Sequence, residues 1–258
     1  MGELIRLDIN NLITKGKEIY PPRICVYGVH GIGKSTFGAS GINPIFIQTE
    51  DGNRRLDISK FPVARSIDDF FKNLEAIEKG KHNFNTLVID SLDWLEALIF
   101  KQICEDNSVQ LIADISYGRG YAKSYARVAE VLQKLDDINR NRGMAILLIA
   151  HSKISRFENP ETQAYDRYTI NMREDAAQKI MEWCDALLFC NYITRIKKDG
   201  ENFGKEEVRG IGQGERVIYT QERPGFFAKN KFNLPFEIKI GNEPESWLPL
   251  WQEIYKNY

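Results

Sequence analysis

Residues 28–36 read Gly28-Val29-His30-Gly31-Ile32-Gly33-Lys34-Ser35-Thr36, a complete G-x-x-x-x-G-K-[ST] string set directly behind the apolar run Ile24-Cys25-Val26-Tyr27. The string works only between a strand and a helix. Gly28 and Gly33 let the backbone curl through conformations that a side chain forbids, so that successive N–H groups converge on a phosphate at the start of the helix. Lys34 is then placed to reach the β- and γ-phosphates, and Ser35 to put a hydroxyl on Mg²⁺. At average residue frequencies the pattern arises by chance on the order of once per hundred chains of this length. The whole stretch from Gly28 to Thr36 therefore reads as a nucleoside triphosphate site.

The chain has 258 residues, 43% hydrophobic and 28% charged, which is long enough for one large α/β core and short for two. Its net charge of −1 advertises no global basic field, so any nucleic-acid binding must come from local clusters. Cys25, Cys104, Cys184 and Cys190 lie in apolar runs without C-x-x-C or zinc spacing, as buried thiols in a reducing compartment do. Apolar runs fall far short of a membrane span, and Met1-Gly2-Glu3-Leu4-Ile5-Arg6 lacks a signal-peptide profile. A cytoplasmic protein with no membrane partner is expected.

Four β-like runs, Ile24–Tyr27, Pro44–Gln48, Thr86–Asp90 and Ala145–Ala150, alternate with helical periods over Ile67–Lys79, Trp94–Cys104 and Tyr121–Ile138. Alternation of this kind predicts a mostly parallel sheet flanked by helices, with right-handed crossovers. A fifth strand, Ala186–Cys190, leads into β-like runs at Tyr192–Lys197, Arg216–Thr220 and Phe236–Ile240, separated by turns such as Gly210-Ile211-Gly212-Gln213-Gly214. These read as hairpins extending the sheet. Trp247, Leu250, Trp251 and Ile254 recur at helical offsets in a final helix. The expected organisation is one α/β domain over residues 1–258, with a core at about 22–193, a hairpin extension at about 194–240 and a terminal helix at about 246–256.

Leu87-Val88-Ile89-Asp90 is an apolar strand ending in an acid, the arrangement that holds the metal opposite a phosphate-loop serine. Asp90 is thus the candidate metal carboxylate beside Ser35; the plainer reading is a cap on the next helix. Ser91 occupies the place where the AAA+ class carries its water-activating glutamate, so a base has to come from elsewhere. Ile45-Phe46-Ile47-Gln48-Thr49-Glu50-Asp51 offers Glu50 at the carboxyl edge of a strand, either as a base or as a solvated loop acid. His30 stands at an open position of the loop, where a lid or packing role suits it.

With these residues in place the chain resembles the RecA/RadA recombinase core, and most closely the compact phage-encoded Sak group of RecA-like single-strand annealing proteins. The motifs in register are Thr49-Glu50, Asp90-Ser91, a polar residue ending the fourth strand (His151, where the family usually has Gln), and Ala228-Lys229-Asn230-Lys231-Phe232 before Pro235-Phe236. The stretch Phe157-Glu158-Asn159-Pro160-Glu161-Thr162 is similar to the family's second DNA loop. The likeness runs from about residue 22 to 240 and implies a RecA-like P-loop ATPase using ATP and Mg²⁺. It implies Glu50 as catalytic base, His151 as γ-phosphate switch, and Lys229 and Lys231 as lysines that reach a neighbouring subunit's ATP, with Arg216 a spare candidate. Taken alone, lysines two apart on an extended segment are more commonly edge-strand guards.

Two stretches have the composition of a single-strand platform. Ile115–Lys123 interleaves Tyr117, Arg119 and Lys123 with glycines, and Ser152–Arg173 carries Lys153, Arg156, Phe157, Tyr165, Arg167, Tyr168 and Arg173 without clear periodicity. Solvated loop decoration would look the same. The expected function is ATP-dependent annealing or pairing of single-stranded DNA by a self-associating filament or ring, in the host cytoplasm if the phage resemblance holds, with a single-strand-binding protein as an allowed partner. A hexameric helicase-type motor and an ATP-gated switch or loader without DNA contact remain open beside it.

Overall fold

The computed structural model describes residues 13, 15–16, 19–193, 195–202, 205–211, 214–241 and 243–256. In chain order its elements are β1 (Arg23–Gly28), α1 (Lys34–Ala39), β2 (Pro44–Gln48), β3 (Ser59–Lys60), α2 (Ile67–Lys79), β4 (Thr86–Asp90), α3 (Leu92–Asp106), α4 (Arg119–Arg142), β5 (Ala145–Phe157), β6 (Tyr165–Ile170), α5 (Glu174–Trp183) and β7 (Ala186–Tyr192). There follow β8 (Arg195–Asn202), β9 (Lys205–Ile211), β10 (Arg216–Tyr219), β11 (Lys229–Asn230), β12 (Glu237–Ile240) and α6 (Leu248–Lys256).

Strands without polar residues on either face belong in the middle of a sheet covered on both sides. Ile24–Gly28 of β1, Leu87–Ile89 of β4 and Ala145–Ala150 of β5 are such runs, and these strands lie centrally in the order β12-β10-β7-β1-β5-β4-β2-β3. The pairs β1–β5, β1–β7, β4–β5, β2–β4 and β2–β3 are parallel, whereas β10 and β12 extend the sheet antiparallel beyond β7. Side chains alternate between faces along each strand. Cys25, Tyr27, Ile47, Ile89, Leu148 and Phe189 turn to a layer formed by α2 to α5. Ile24, Val26, Phe46, Val88, Leu147 and Leu188 turn to α1 and α6.

The helices follow local signals. α2 begins with a capping box, Ser66 Oγ accepting from Asp69 N and Asp69 Oδ2 from Ser66 N, each at 3.1 Å, and buries Ile67, Phe70, Leu74 and Ile77. α4 ends on Gly143 in the left-handed region at φ 63°. α1 spans 6 residues, too short to hold itself in water, and is fixed by the C-terminal segment: Phe37 stacks on Trp251 at 4.9 Å between centroids, and Trp251 Nε1 donates to Phe37 O at 3.0 Å.

Three features differ from the sequence expectation. β5 continues past Ala150 to Phe157 and pairs antiparallel with β6, so most of Ser152–Ile170 is a two-stranded arm and not an irregular loop. Its burial alternates where the inner half of β5 is uniformly buried, because the arm leaves the covered sheet. β8 and β9 form a separate two-stranded sheet instead of extending the main one; within the turn after β9, Gly212 and Gln213 lie outside the described residues. Helix α5 has no counterpart in the sequence reading.

All four cysteines are free, with Cys25, Cys184 and Cys190 buried. Among the described residues no helix is long and apolar enough to cross a membrane. Gly28 closes β1 against β7 so tightly that a Cβ there would lie 2.1 Å from Cys190 O. Replacing Gly28 by Ala should therefore force a backbone shift costing about 1–3 kcal/mol, read as a lower urea midpoint at unchanged slope.

Candidate active site

The end of β1 stands next to the ends of β5 and β7, Gly28 being in register with His151 and Cys190. From there the backbone turns through Gly31 at φ 73° and Gly33 at φ 105°, values open to glycine. Lys34 is buried, and its ammonium donates to the loop's own carbonyls, Gly28 O at 3.1 Å and Val29 O at 2.9 Å. Burial pushes its pKa below the ordinary lysine value, partly offset by neighbouring thiol and carboxyl groups. Outside the loop, Tyr192 Oη donates to Gly31 O at 3.2 Å, and Trp247 and Arg216 crowd Gly33.

Across the strand ends, Ser35 Oγ donates to Asp90 Oδ2 at 2.7 Å, and Asn53 Nδ2 donates to the same oxygen at 2.8 Å. Asp90 Oδ1 is buried and meets no hydrogen-bond donor. A carboxylate oxygen left without a donor, beside a hydroxyl, is a donor set that a hard divalent cation completes. The residues present therefore fit Mg²⁺, which Ser35 and Asp90 would hold. The ends of β2 and β4 are locked together next to this carboxylate: Thr49 N donates to Asp90 O at 2.8 Å, Thr49 Oγ1 to Ser91 O at 2.7 Å, and Ser91 N to Thr49 Oγ1 at 2.9 Å. The Asp90–Ser91 peptide bond is cis.

That lock delivers Glu50 to the same edge. Half-burial first, and then the charge of Asp90, raise its pKa above the ordinary glutamate value. His151 is buried at the end of the inner half of β5, and Asp93, on the first turn of α3, grips it twice. Its backbone N donates to Asp93 Oδ1 at 3.2 Å, and its Nδ1 lies 2.9 Å from Asp93 Oδ2. Burial would raise the pKa of Asp93, but these bonds outweigh it and hold the carboxyl below its usual range. The exposed ring of His30 stacks on His151 at 3.9 Å between centroids and 22° between planes.

The structure thus brings together Lys34, Ser35, Asp90, Glu50, His151 and His30 from separate segments. Thr49, named in the sequence as the neighbour of Glu50, completes the arrangement together with Asn53 and Asp93, which were not singled out there. Asp93 follows Asp90 by three residues, but its meaning depends on His151, far along the chain, and Asn53 sits in an aperiodic loop; neither carries a local signal. Lys229 and Lys231 lie at the other end of the sheet, β11 pairing with Ala186 and Leu187 at the start of β7. There Lys229 Nζ donates to Glu182 O at 3.3 Å and Lys231 to Asp185 at 3.0 Å. Arg216 lies against its own phosphate loop.

The residues offered to DNA divide. Tyr117 is 94% exposed in a left-handed turn before α4, with Arg119 over its ring at 5.8 Å, and Lys123 donates to Asn107 at 2.9 Å. Lys153, Arg156 and Phe157 line one groove of about 590 Å³ between the arm and α5. Tyr168 packs on Phe189 at 5.1 Å. Arg167 corrects the expectation: it is 4% exposed, paired with Glu222 at 2.7 Å, and its guanidinium lies over Phe227 at 3.6 Å. It anchors the arm to the body, and where it borders that groove its charge is already paired with Glu222.

Sheet order and site together define a P-loop NTPase with a RecA-like core. A family model described as an AAA domain matches residues 20–232, and the chain belongs to that family. A crystal structure of the RadB recombinase superposes with a TM-score of 0.52 over 88% of this chain and 90% of that one, at 14% identity, a likeness of fold. The SPbeta prophage-derived uncharacterized protein YorG of Bacillus subtilis (strain 168) is 27% identical over 147 residues. That match takes in 55% of this chain and 44% of YorG, so the aligned stretch spans less than half of the relative's length.

Two predictions follow from the geometry. Because the folded-state pKa of Glu50 is raised, its contribution to stability is greatest in acid and is lost as pH rises through that value, leaving the ionised carboxylate a cost at neutral pH. Glu50→Gln should raise Tm at pH 7 and change it little at pH 4 in thermal melts without nucleotide. Arg167→Ala should lower stability by about 2–3 kcal/mol in urea titrations, since it removes a buried, ring-stacked cation; unchanged stability with weakened DNA binding would restore Arg167 to the surface.

Proposed function

We propose that this protein is an ATP-dependent, single-stranded DNA-binding recombination ATPase that promotes annealing or pairing and assembles head to tail with ATP between subunits. One observation carries the reading: β5 runs without interruption from His151, beside the phosphate loop, into the arm that bears Lys153, Arg156 and Phe157. The nucleotide site and the basic aromatic surface share one strand.

The residues divide the work. Lys34 and the loop amides from Gly28 to Thr36 bind the triphosphate, and Ser35 with Asp90 holds Mg²⁺, which supplies charge neutralisation at the phosphates. Glu50, raised in pKa and on the same edge, accepts the proton of an attacking water. Lys153, Arg156 and Phe157, with Tyr117, Arg119 and Lys123 of the neighbouring turn, hold the strand by phosphate contacts and base stacking, the latter worth ~1–3 kcal/mol per base. Arg173 lies over the Tyr121 ring at 4.0 Å, bringing that turn and the root of the arm together. Lys229 and Lys231, remote from their own loop, act on a neighbour's nucleotide, which ties hydrolysis to assembly.

ATP hydrolysis measured with and without single-stranded DNA tests this. Hydrolysis should rise with DNA, vanish in Lys34→Ala, and vanish in Glu50→Gln while nucleotide binding persists. Charge removal at Lys153 and Arg156 should weaken oligonucleotide binding and flatten its salt dependence. Absence of hydrolysis, DNA binding and ATP-dependent assembly together would overturn the reading, and normal turnover by Glu50→Gln would overturn the choice of base.

A further inference from the structure

Asp90 offers a cation one oxygen and not two, and the side chain that enforces this is Asn53. A carboxylate has about four lone-pair sites, shared equally between its oxygens. On Oδ2 they are taken by Ser35 Oγ at 2.7 Å and Asn53 Nδ2 at 2.8 Å, whereas Oδ1 is buried and meets no donor.

The two donors are not equivalent. Ser35 Oγ is itself a ligand in the reading above, so its position answers to the cation as well as to Asp90. The amide of Asn53 answers to the protein alone. Asn53 is buried, and its carbonyl accepts from Lys60 Nζ at 2.7 Å and from Leu56 N at 3.3 Å. Lys60 belongs to β3, which pairs with β2 through Phe46. The segment is also fastened to Asp90 at its start, where Thr49 N donates to Asp90 O at 2.8 Å. On the outside of the turn Asp51 and Arg54 pair with each other, Nε to Oδ1 at 2.9 Å, which leaves the uncharged amide facing the carboxylate. Asn53 is thus a fixed donor in an otherwise exposed loop.

An engaged Oδ2 bears on the kind of cation that Asp90 accepts. Ca²⁺ gathers many oxygens in adaptable geometry and takes carboxylates through both oxygens, whereas Mg²⁺ keeps a strict octahedron with waters, few carboxylates and the substrate's phosphates. We propose that Asn53 determines the metal specificity of the nucleotide site: by filling Oδ2 it holds Asp90 to one oxygen and favours Mg²⁺ over Ca²⁺. The inference deepens the function proposed above and rests only on its nucleotide-binding part; neither DNA nor turnover enters.

The test is the affinity of the full chain for ATPγS, measured by titration calorimetry with excess Mg²⁺, with excess Ca²⁺ and with EDTA. The wild type should bind more tightly with Mg²⁺ than with Ca²⁺. Asn53→Leu, which keeps the volume and removes the donor, should cut that preference about tenfold, the scale of one hydrogen bond to a charged group, and leave the affinity in EDTA as it was. Asn53→Asp keeps the shape and puts a second carboxylate beside the first, so it should cut the preference further, and it carries the test alone if the leucine variant does not fold. In an Asp90→Asn background Asn53→Leu should change the preference no more, because it acts through that carboxylate. A preference unchanged in the Asn53 variants, or an equal loss of affinity in all three conditions as a packing role gives, would overturn the proposal and leave the nucleotide site standing. A wild type that binds no ATPγS in any condition would overturn the function proposed above and this inference with it.

Discussion

The carboxylate of Asp90 is the point on which the site closes. It ends a strand whose every residue is buried, and one oxygen gathers Ser35 from the phosphate loop and Asn53 from the segment after β2, while the other has no donor at all. Burying an ion in this way costs far more than hydrogen bonds at one oxygen return, and proteins accept that arrangement where a cation supplies the rest. Asp90 therefore does two things at once. It draws β2, β4 and the phosphate loop to one edge of the sheet, and it keeps a second oxygen without a donor, as a carboxylate that fits a divalent cation does.

Positions near that edge are set by backbone contacts more than by the reactive groups themselves. Thr49 bonds to both residues of the Asp90–Ser91 pair, which fixes where the chain leaves β2 and so where Glu50 emerges. On the far side of the loop, Tyr192, Arg216 and Trp247 press against Gly31 and Gly33, and Trp251 holds the short α1 by its backbone. A C-terminal helix whose Trp251 lies 214 residues from Phe37 in sequence is thus part of the phosphate loop's support. Stability of α6 and nucleotide affinity should not be separable properties in this chain.

What could be read in the sequence followed from signals that are local and unmixed. The apolar runs Ile24–Tyr27 and Leu87–Ile89, the helical period of Ile67–Lys79 and the glycines of the phosphate loop each have one physical meaning, and the structure contains each of them. The arm was not legible. Ser152–Ile170 mixes charge, aromatic rings and β-branched residues on a strand pair that leaves the sheet, where burial gives only a weak alternation. Arg167 illustrates the limit: nothing in its neighbours distinguishes an arginine that faces DNA from one that lies on Phe227 and pairs with Glu222 55 residues later. The choice is made by tertiary contacts, and only by them. Asp93 failed to register for a different reason, since its meaning depends on a histidine 58 residues on that reaches it through the sheet.

The placement of Lys229 and Lys231 bears on why such a site would be divided between copies of the chain. Parallel strands put every element of the phosphate site at their carboxyl ends, whereas β11 joins β7 at its first residues, so the lysines stand at the opposite edge of the same sheet. Within one chain their charges are occupied modestly: Lys229 sits at the C-terminal end of α5, where a cation is favourable, and Lys231 shares Asp185 with Arg23. Lys231 remains 63% exposed, and an exposed pair of this kind holds its partners by about 1 kcal/mol or less. Such a bond is weak enough to be exchanged for a more strongly charged partner. Head-to-tail stacking would bring one copy's amino edge to the next copy's carboxyl edge, and the triphosphate is the densest negative charge that edge can hold. In the head-to-tail assembly proposed above, the loop of one copy would meet the lysines of the next, groups that the sheet keeps apart within each chain.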